Sequence, residues 1–230
     1  MKPVLLLVPG MLNDASVWHD VVELLRPHAD ARIASPLQES VPAMAAAAWS
    51  LVADVPEQTP VVLAGFSLGG YVAIEMLAHP ARRLQAAALV STSARPETPE
   101  GASNREKTSA AMRKDFARVV DGIVQWSTHE PTPQLCVRLK QMMLGLGADA
   151  AIRQNGAISA RGDHRDALAA LSLPVTVLCG QQDRITPPAL AQELAALIPG
   201  ARLQLAEGAG HMLPCERPAV VAAALRPLLN

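Results

Sequence analysis

The chain has 230 residues, 50% of them hydrophobic and 18% charged, with a formal net charge of −1 at pH 7. That length and balance fit one globular domain with a large core. They exclude a basic field that would draw the chain to nucleic acid or anionic lipid, and 3% aromatic content leaves few platforms on which bases could stack.

The first residues, "MKPVLLLVPGMLND", hold an apolar run too short to span a membrane and cut by Pro9 and Gly10. No small-residue cleavage site follows, so the run reads as a buried strand rather than a leader. Cys136, Cys179 and Cys215 are scattered and odd in number. They fit reduced thiols better than a disulfide framework. A cytoplasmic protein is expected, with no membrane or nucleic-acid partner.

Short apolar runs alternate with longer helical patterns. "VLLLV" (4–8) is continuous and apolar, as a strand covered on both faces would be. A helix over 15–28 follows, with Val17, Val21, Leu24 and Leu25 at helical spacing. Next come a weaker strand at 31–35 and an Ala-rich helix at 41–55. The strand "VVLAGF" (61–66), a helix at 69–80 and the strand "QAAALVST" (85–92) complete the first half. The rhythm returns with the strand "VTVLCG" (175–180), a helix at 188–198, the strand "ARLQLAE" (201–207) and a closing helix at 216–229. Strands separated by helices predict a mostly parallel α/β sheet with helices on both faces. Ligands then bind where the strands end.

Between 93 and 170 the rhythm breaks. A polar stretch leads into helical patterns at 104–127, 133–146 and 149–160, with no convincing strand before Val175. The expected organisation is a core of 1–92 and 171–230 with an inserted helical cap at 93–170.

"GFSLGG" places Ser67 between a predicted strand and a predicted helix, in the G-x-S-x-G pattern. A glycine-rich turn with Ser67 as a helix N-cap is the plain alternative. A serine nucleophile needs a positioned base. His19, His28 and His79 lie on or beside helices, and His129 and His164 in the insertion. His211, in "GAGHMLPCERP", lies in the loop after the last strand, on the edge where Ser67 points. "CGQQDRITPP" supplies Asp183 after a strand, although it could equally make a turn before the next helix. The chain order Ser67, Asp183, His211 suits nucleophile, acid and base. Two oxyanion donors are expected, the N–H of Leu68 and that of Met11, with Leu12 as fallback.

These motifs resemble the α/β-hydrolase superfamily. "GFSLGG", "GQQDRITP" and "GAGHMLPCERP" are similar to its nucleophile, acid and histidine motifs, and "PGMLNDASVW" to its oxyanion loop with a downstream Trp, here Trp18. The resemblance covers roughly 3–92 and 171–230. It implies the α/β-hydrolase fold, a Ser67–Asp183–His211 triad and a cap over the site. Three features depart from the family pattern. Pro9 stands where many members have His, the loop after the second strand reads "SPLQES", and the first strand starts at Val4 without a preceding hairpin. Six parallel strands in the order 2-1-3-4-5-6 are therefore expected.

A serine hydrolase acting on a small to medium, partly apolar ester or lactone through an acyl-enzyme is the first reading. Carbon–carbon cleavage or a lyase reaction by the same triad, and a ligand receptor on this fold, are the others. No cofactor or metal is required: no phosphate loop or zinc spacing appears. The partner is a small-molecule substrate. Stripes at Met112, Phe116, Val119, Val120, Ile123, Val124 and Trp126, and at Leu135, Leu139, Met142 and Met143, mostly pack the insertion, with some left to line a pocket. Residues 95–166 carry eleven Lys/Arg against nine Asp/Glu, which gives no support to an acyl-carrier-protein docking surface. Arg161, Asp163, His164 and Arg165 read as a salt-bridged hinge.

Overall fold

The computed structural model describes residues 2–230. Its strands are β1 (Val4–Val8), β2 (Asp30–Ile33), β3 (Val61–Phe66), β4 (Ala86–Val90), β5 (Val175–Gly180) and β6 (Arg202–Ala206). All pairings are parallel, in the order β2-β1-β3-β4-β5-β6. This is the six-stranded order expected from the sequence.

The helices are α1 (His19–Leu25), α2 (Val41–Ser50), α3 (Leu68–Ala78), α4 (Pro99–Lys114), α5 (Phe116–Ser127), α6 (Pro133–Leu146), α7 (Ala148–Ser159), α8 (Arg165–Ala169), α9 (Pro188–Leu197), α10 (Leu213–Glu216) and α11 (Pro218–Leu225). β1, β3, β4 and β5 are buried along their whole length, which is why their sequences are runs of apolar or small residues. Alternate side chains serve opposite faces. Val4, Leu6 and Val8 of β1 join α2, α3 and α9 in one core. Leu5 and Leu7 join Trp18, α1 and α11 in the other. No helix among the described residues is long and apolar enough to cross a membrane.

Register fixes the functional edge. Val8 lies opposite Gly65, Phe66 opposite Val90, and Val90 opposite Leu178. The loops after β1, β3, β4 and β5 therefore open side by side.

Several expected helices prove to be broken. The pattern at 104–127 is two helices, because Asp115 leaves helical geometry at φ −156° and its carboxylate accepts from Arg118 N–H to start α5. The first helix begins as a 3₁₀ turn (Ala15–Trp18), capped by Asp14 accepting from Ser16 N–H. The closing helix divides into α10, α11 and a 3₁₀ turn (Arg226–Leu229), with Pro218 and Pro227 at the breaks. α8 falls in the charged stretch read only as a hinge. That stretch is salt-bridged: Arg165 pairs with Asp163 at 2.5 Å and Arg161 with Glu97 at 3.0 Å. His164 instead turns to Glu75.

Candidate active site

The turn at Ser67 is built from close backbone approach. A Cβ on Gly65 would lie 2.1 Å from Gly69 O, and one on Gly69 would lie 2.1 Å from Val8 O. Glycine at these two positions lets β1, β3 and the start of α3 meet. Ser67 itself takes φ 54° and ψ −116°, a strained conformation for a residue with a side chain. Its surroundings impose that strain: Ser67 N–H donates to Val90 O at 2.9 Å, and Thr92 Oγ1 donates to Ser67 O at 3.1 Å. The Ser67 side chain makes no capping bond to α3. Ser67 thus stands at the N-cap position without capping α3 through its side chain, and the hydroxyl is free for another partner.

That partner is His211, whose Nε2 lies 2.9 Å from Ser67 Oγ. His211 Nδ1 lies 2.9 Å from Asp183 Oδ2. An ionised carboxylate only accepts, so Nδ1 carries the proton and Nε2 is left to accept from Ser67. Phe66 packs against the imidazole at 5.3 Å between ring centres. The structure thus brings Ser67, His211 and Asp183 into one hydrogen-bonded chain. His19, His28, His79, His129 and His164 take no part in it, and none of them lines the cavity onto which Ser67 and His211 open.

Asp183 is 3% exposed. Its Oδ1 accepts from Ile185 N–H at 2.8 Å and Thr186 N–H at 2.9 Å, and its Oδ2 accepts from Thr186 Oγ1 at 2.9 Å. Burial pushes this carboxyl up, but His211 and the Thr186 donors together hold it below the usual carboxylate range. Thr186 was not singled out in the sequence, although an Asp followed three residues later by Thr is a recognisable turn signal. Cys179 is inert here: burial, with Asp183 beside it, pushes its thiol far up. Burial likewise pushes Cys215 up to about 11.

The His211 loop is moored by α5 and by Glu216 of α10. Ser127 O, at the end of α5, accepts from His211 N–H at 2.8 Å and Met212 N–H at 3.1 Å. Glu216 Oε2 accepts from Gly210 N–H at 3.0 Å and His129 N–H at 2.8 Å. A backbone carbonyl such as Ser127 O carries no sequence signal.

The two backbone N–H groups considered in the loop after β1 differ in their partners. Leu12 sits at φ 61°, and its N–H donates to Gln154 Oε1 at 2.9 Å. That N–H is spoken for, which leaves Met11 from this loop. Leu68 opens α3, where first-turn N–H groups have no acceptor within the helix. Gln154 is fully buried on α7, and its Nε2 also donates to Pro36 O at 2.9 Å. It ties the unusual "SPLQES" loop to the loop after β1. Gln154→Leu would leave a buried N–H and a buried C=O unpaired, each costing about 1–3 kcal/mol. A lower chemical-denaturation midpoint and a lower kcat are expected, and an unchanged midpoint would show that the loops hold without this side chain.

Ser67, His211 and Met11 line a cavity of about 580 Å³. Met112, Ile123 and Met143 give it an apolar side, and Asn104, Arg105 and Asn155 a polar one. Val120, Val124, Leu139 and Met142 do not line it and are buried in the same cluster as Met112 and Met143. Trp126 is 56% exposed at the rim, with the Arg184 guanidinium 4.5 Å above its ring. Two other hollows, of about 630 and 790 Å³, lie at the opposite ends of the strands, around Pro60, Gln85 and Pro174.

A parallel sheet with this serine turn at its carboxyl edge defines a hydrolase of the α/β type. Residues 5–224 match the model of the Alpha/beta hydrolase family, and the chain belongs to that family. The chain is 29% identical over 192 residues to a pimeloyl-[acyl-carrier protein] methyl ester esterase of Neisseria meningitidis, spanning 80% of this chain and 72% of the relative. A protein of the same name from Aeromonas hydrophila is 30% identical over 246 residues, spanning 91% of this chain and 88% of the relative. Among solved structures, a thermophilic esterase from Thermogutta terrifontis superposes with a TM-score of 0.89 at 28% identity, over 100% of this chain and 91% of that one.

Proposed function

We propose that the protein hydrolyses carboxylic esters through an acyl-enzyme on Ser67. His211 takes the serine proton as the hydroxyl attacks the carbonyl, then returns it to the leaving alcohol. Asp183 holds the imidazole tautomer and stabilises the imidazolium. The N–H groups of Met11 and Leu68 stabilise the developing oxyanion. Water activated by His211 then releases the acid. The observation that carries this reading is the chain Ser67 Oγ–His211 Nε2 and His211 Nδ1–Asp183 Oδ2, at 2.9 Å in both links, opening on the cavity.

In this reading residues 93–170 form a cap that excludes water and shapes the pocket. The mixed lining suits a small to medium ester whose acyl part is largely apolar and whose far end meets Asn104, Arg105 or Asn155. The relatives' names point to acyl methyl esters as one class of ester bond. The nearly balanced charge of residues 95–166 gives no support to a carrier-protein surface, so the free small ester is the substrate proposed.

The test is a panel of p-nitrophenyl esters of rising acyl length beside methyl esters, with mass spectrometry after treatment with a fluorophosphonate. Turnover with a preference for short to medium chains, and one label on Ser67, are expected. No turnover and no label would sink the proposal.

A further inference from the structure

The end of α3 away from Ser67 carries a second group of chemistry-bearing side chains. Glu75 and His79 are four residues apart at the end of α3, so their side chains share one face. His164 comes from the segment between α7 and α8. Its Nε2 lies 2.7 Å from Glu75 Oε2, and His79 Nε2 lies 3.8 Å from Glu75 Oε1. The two rings stand edge to face at 87°, with centres 5.5 Å apart. One donor atom from each of the three residues lies within 4.8 Å of the other two.

Two features set this group apart from a surface ion pair. The side chains of Glu75 and His164 are 10% and 18% exposed, and among the described residues no lysine or arginine pairs with Glu75. A buried carboxylate needs a polar or charged partner, and a cation held among the three residues is one that all of their donor atoms can share. The site is also shaped for the ring of His164. A Cβ on Gly162 would lie 2.9 Å from His164 Nε2, so the absent side chain leaves the imidazole its place beside Glu75.

We propose that Glu75, His79 and His164 bind a divalent transition-metal ion of the zinc class. Two imidazole nitrogens and a carboxylate oxygen are donors that suit zinc, with water completing the shell. A tetrahedral ion about 2.0–2.1 Å from each donor sets the donors roughly 3.3 Å apart. The present spacings, 2.7 Å to Glu75 Oε2 and 3.8 Å to Glu75 Oε1, run to different carboxylate oxygens, and one donor atom from each residue lies within 4.8 Å of the others. Modest side-chain rotation brings all three to the ion.

The ion's role is to brace the fold. Glu75 is about 12 Å along the helix from Ser67 by helical rise, too far for the metal to touch a reacting carbonyl. It joins α3 to the segment returning from the inserted helices to β5. Arg161 on that segment lies 4.4 Å above the Tyr71 ring and pairs with Glu97. Tyr71 and Glu97 both line the cavity, so the ion steadies one wall of it. This site is independent of the chemistry at Ser67.

Metal-free protein titrated with zinc chloride by calorimetry is expected to bind one equivalent per chain and to melt at a higher temperature once loaded. His79 is 69% exposed by side chain, so His79→Ala leaves the fold intact. It and His164→Ala are each expected to weaken binding by about 10-fold or more. His28→Ala and His211→Ala are expected to bind as the wild type does. Absence of stoichiometric binding, undiminished binding in both His79→Ala and His164→Ala, or loss of binding in His211→Ala overturns the proposal.

Discussion

Ser67→Ala is expected to reduce ester turnover by a factor on the order of 10⁶ and to abolish fluorophosphonate labelling. The hydroxyl is the atom that would form the acyl bond, and no nearby group replaces it. Cys179 and Cys215 are buried with thiols pushed up, so neither supplies a thiolate. The fold is expected to be unaffected. Ser67 Oγ makes no capping bond to α3, and the strained φ of 54° is imposed by Val90 O, Thr92 and the flanking glycines rather than by the side chain. Single-turnover kinetics with p-nitrophenyl acetate and a thermal melt check both parts. Loss of activity with an unchanged melting temperature is the expected pair. Turnover at the wild-type rate would remove Ser67 from the mechanism.

Gly101, Asn104 and Arg105 line the cavity from α4, and Met112 follows two turns on. Of these α4 residues only Met112 falls in an apolar stripe of the sequence, because α4 is polar along most of its length. Buried strands were legible for a simple reason: β3 and β5 have helices on both faces, so every residue is apolar or small. β2 lies at the sheet's edge, and its partial exposure blurred its limits, by one residue at the start and two at the end. The juxtaposition of Ser67, Asp183 and His211 was legible because each follows a strand on the same edge. Gln154 was not, because it acts on Leu12 across 142 positions of chain. A fully buried glutamine inside an otherwise amphipathic helix has no periodic signature that distinguishes it from a surface residue. The break at Asp115 carried a signal, since Asp before a helical run is a common N-cap. A continuous stretch of helix formers on both sides outweighed it.

Asp183→Asn tests the orientation of His211 and is expected to lower kcat by on the order of 10⁴ with KM little changed. The substitution is nearly isosteric. The amide oxygen can keep the bonds from Ile185 and Thr186 N–H, which places the amide nitrogen where Oδ2 stood, facing His211 Nδ1 and Thr186 Oγ1. A donor there favours the imidazole tautomer with the proton on Nε2. That nitrogen then faces Ser67 as a donor and cannot take its proton. Thr186 Oγ1, 3.3 Å from Nδ1, does not replace the carboxylate. It is neutral and cannot stabilise an imidazolium. The same change alters acid stability, with the sign set by the depressed folded-state pKa of Asp183. Its stabilisation is present above the unfolded carboxyl value of about 3.9 and is lost as pH falls through the folded value. Asp183→Asn is therefore expected to lose less stability than the wild type as pH falls below about 4. A pH series of denaturation midpoints measures that difference, and steady-state kinetics at neutral pH measures the first. A wild-type kcat in the variant would mean that another group holds His211 for catalysis.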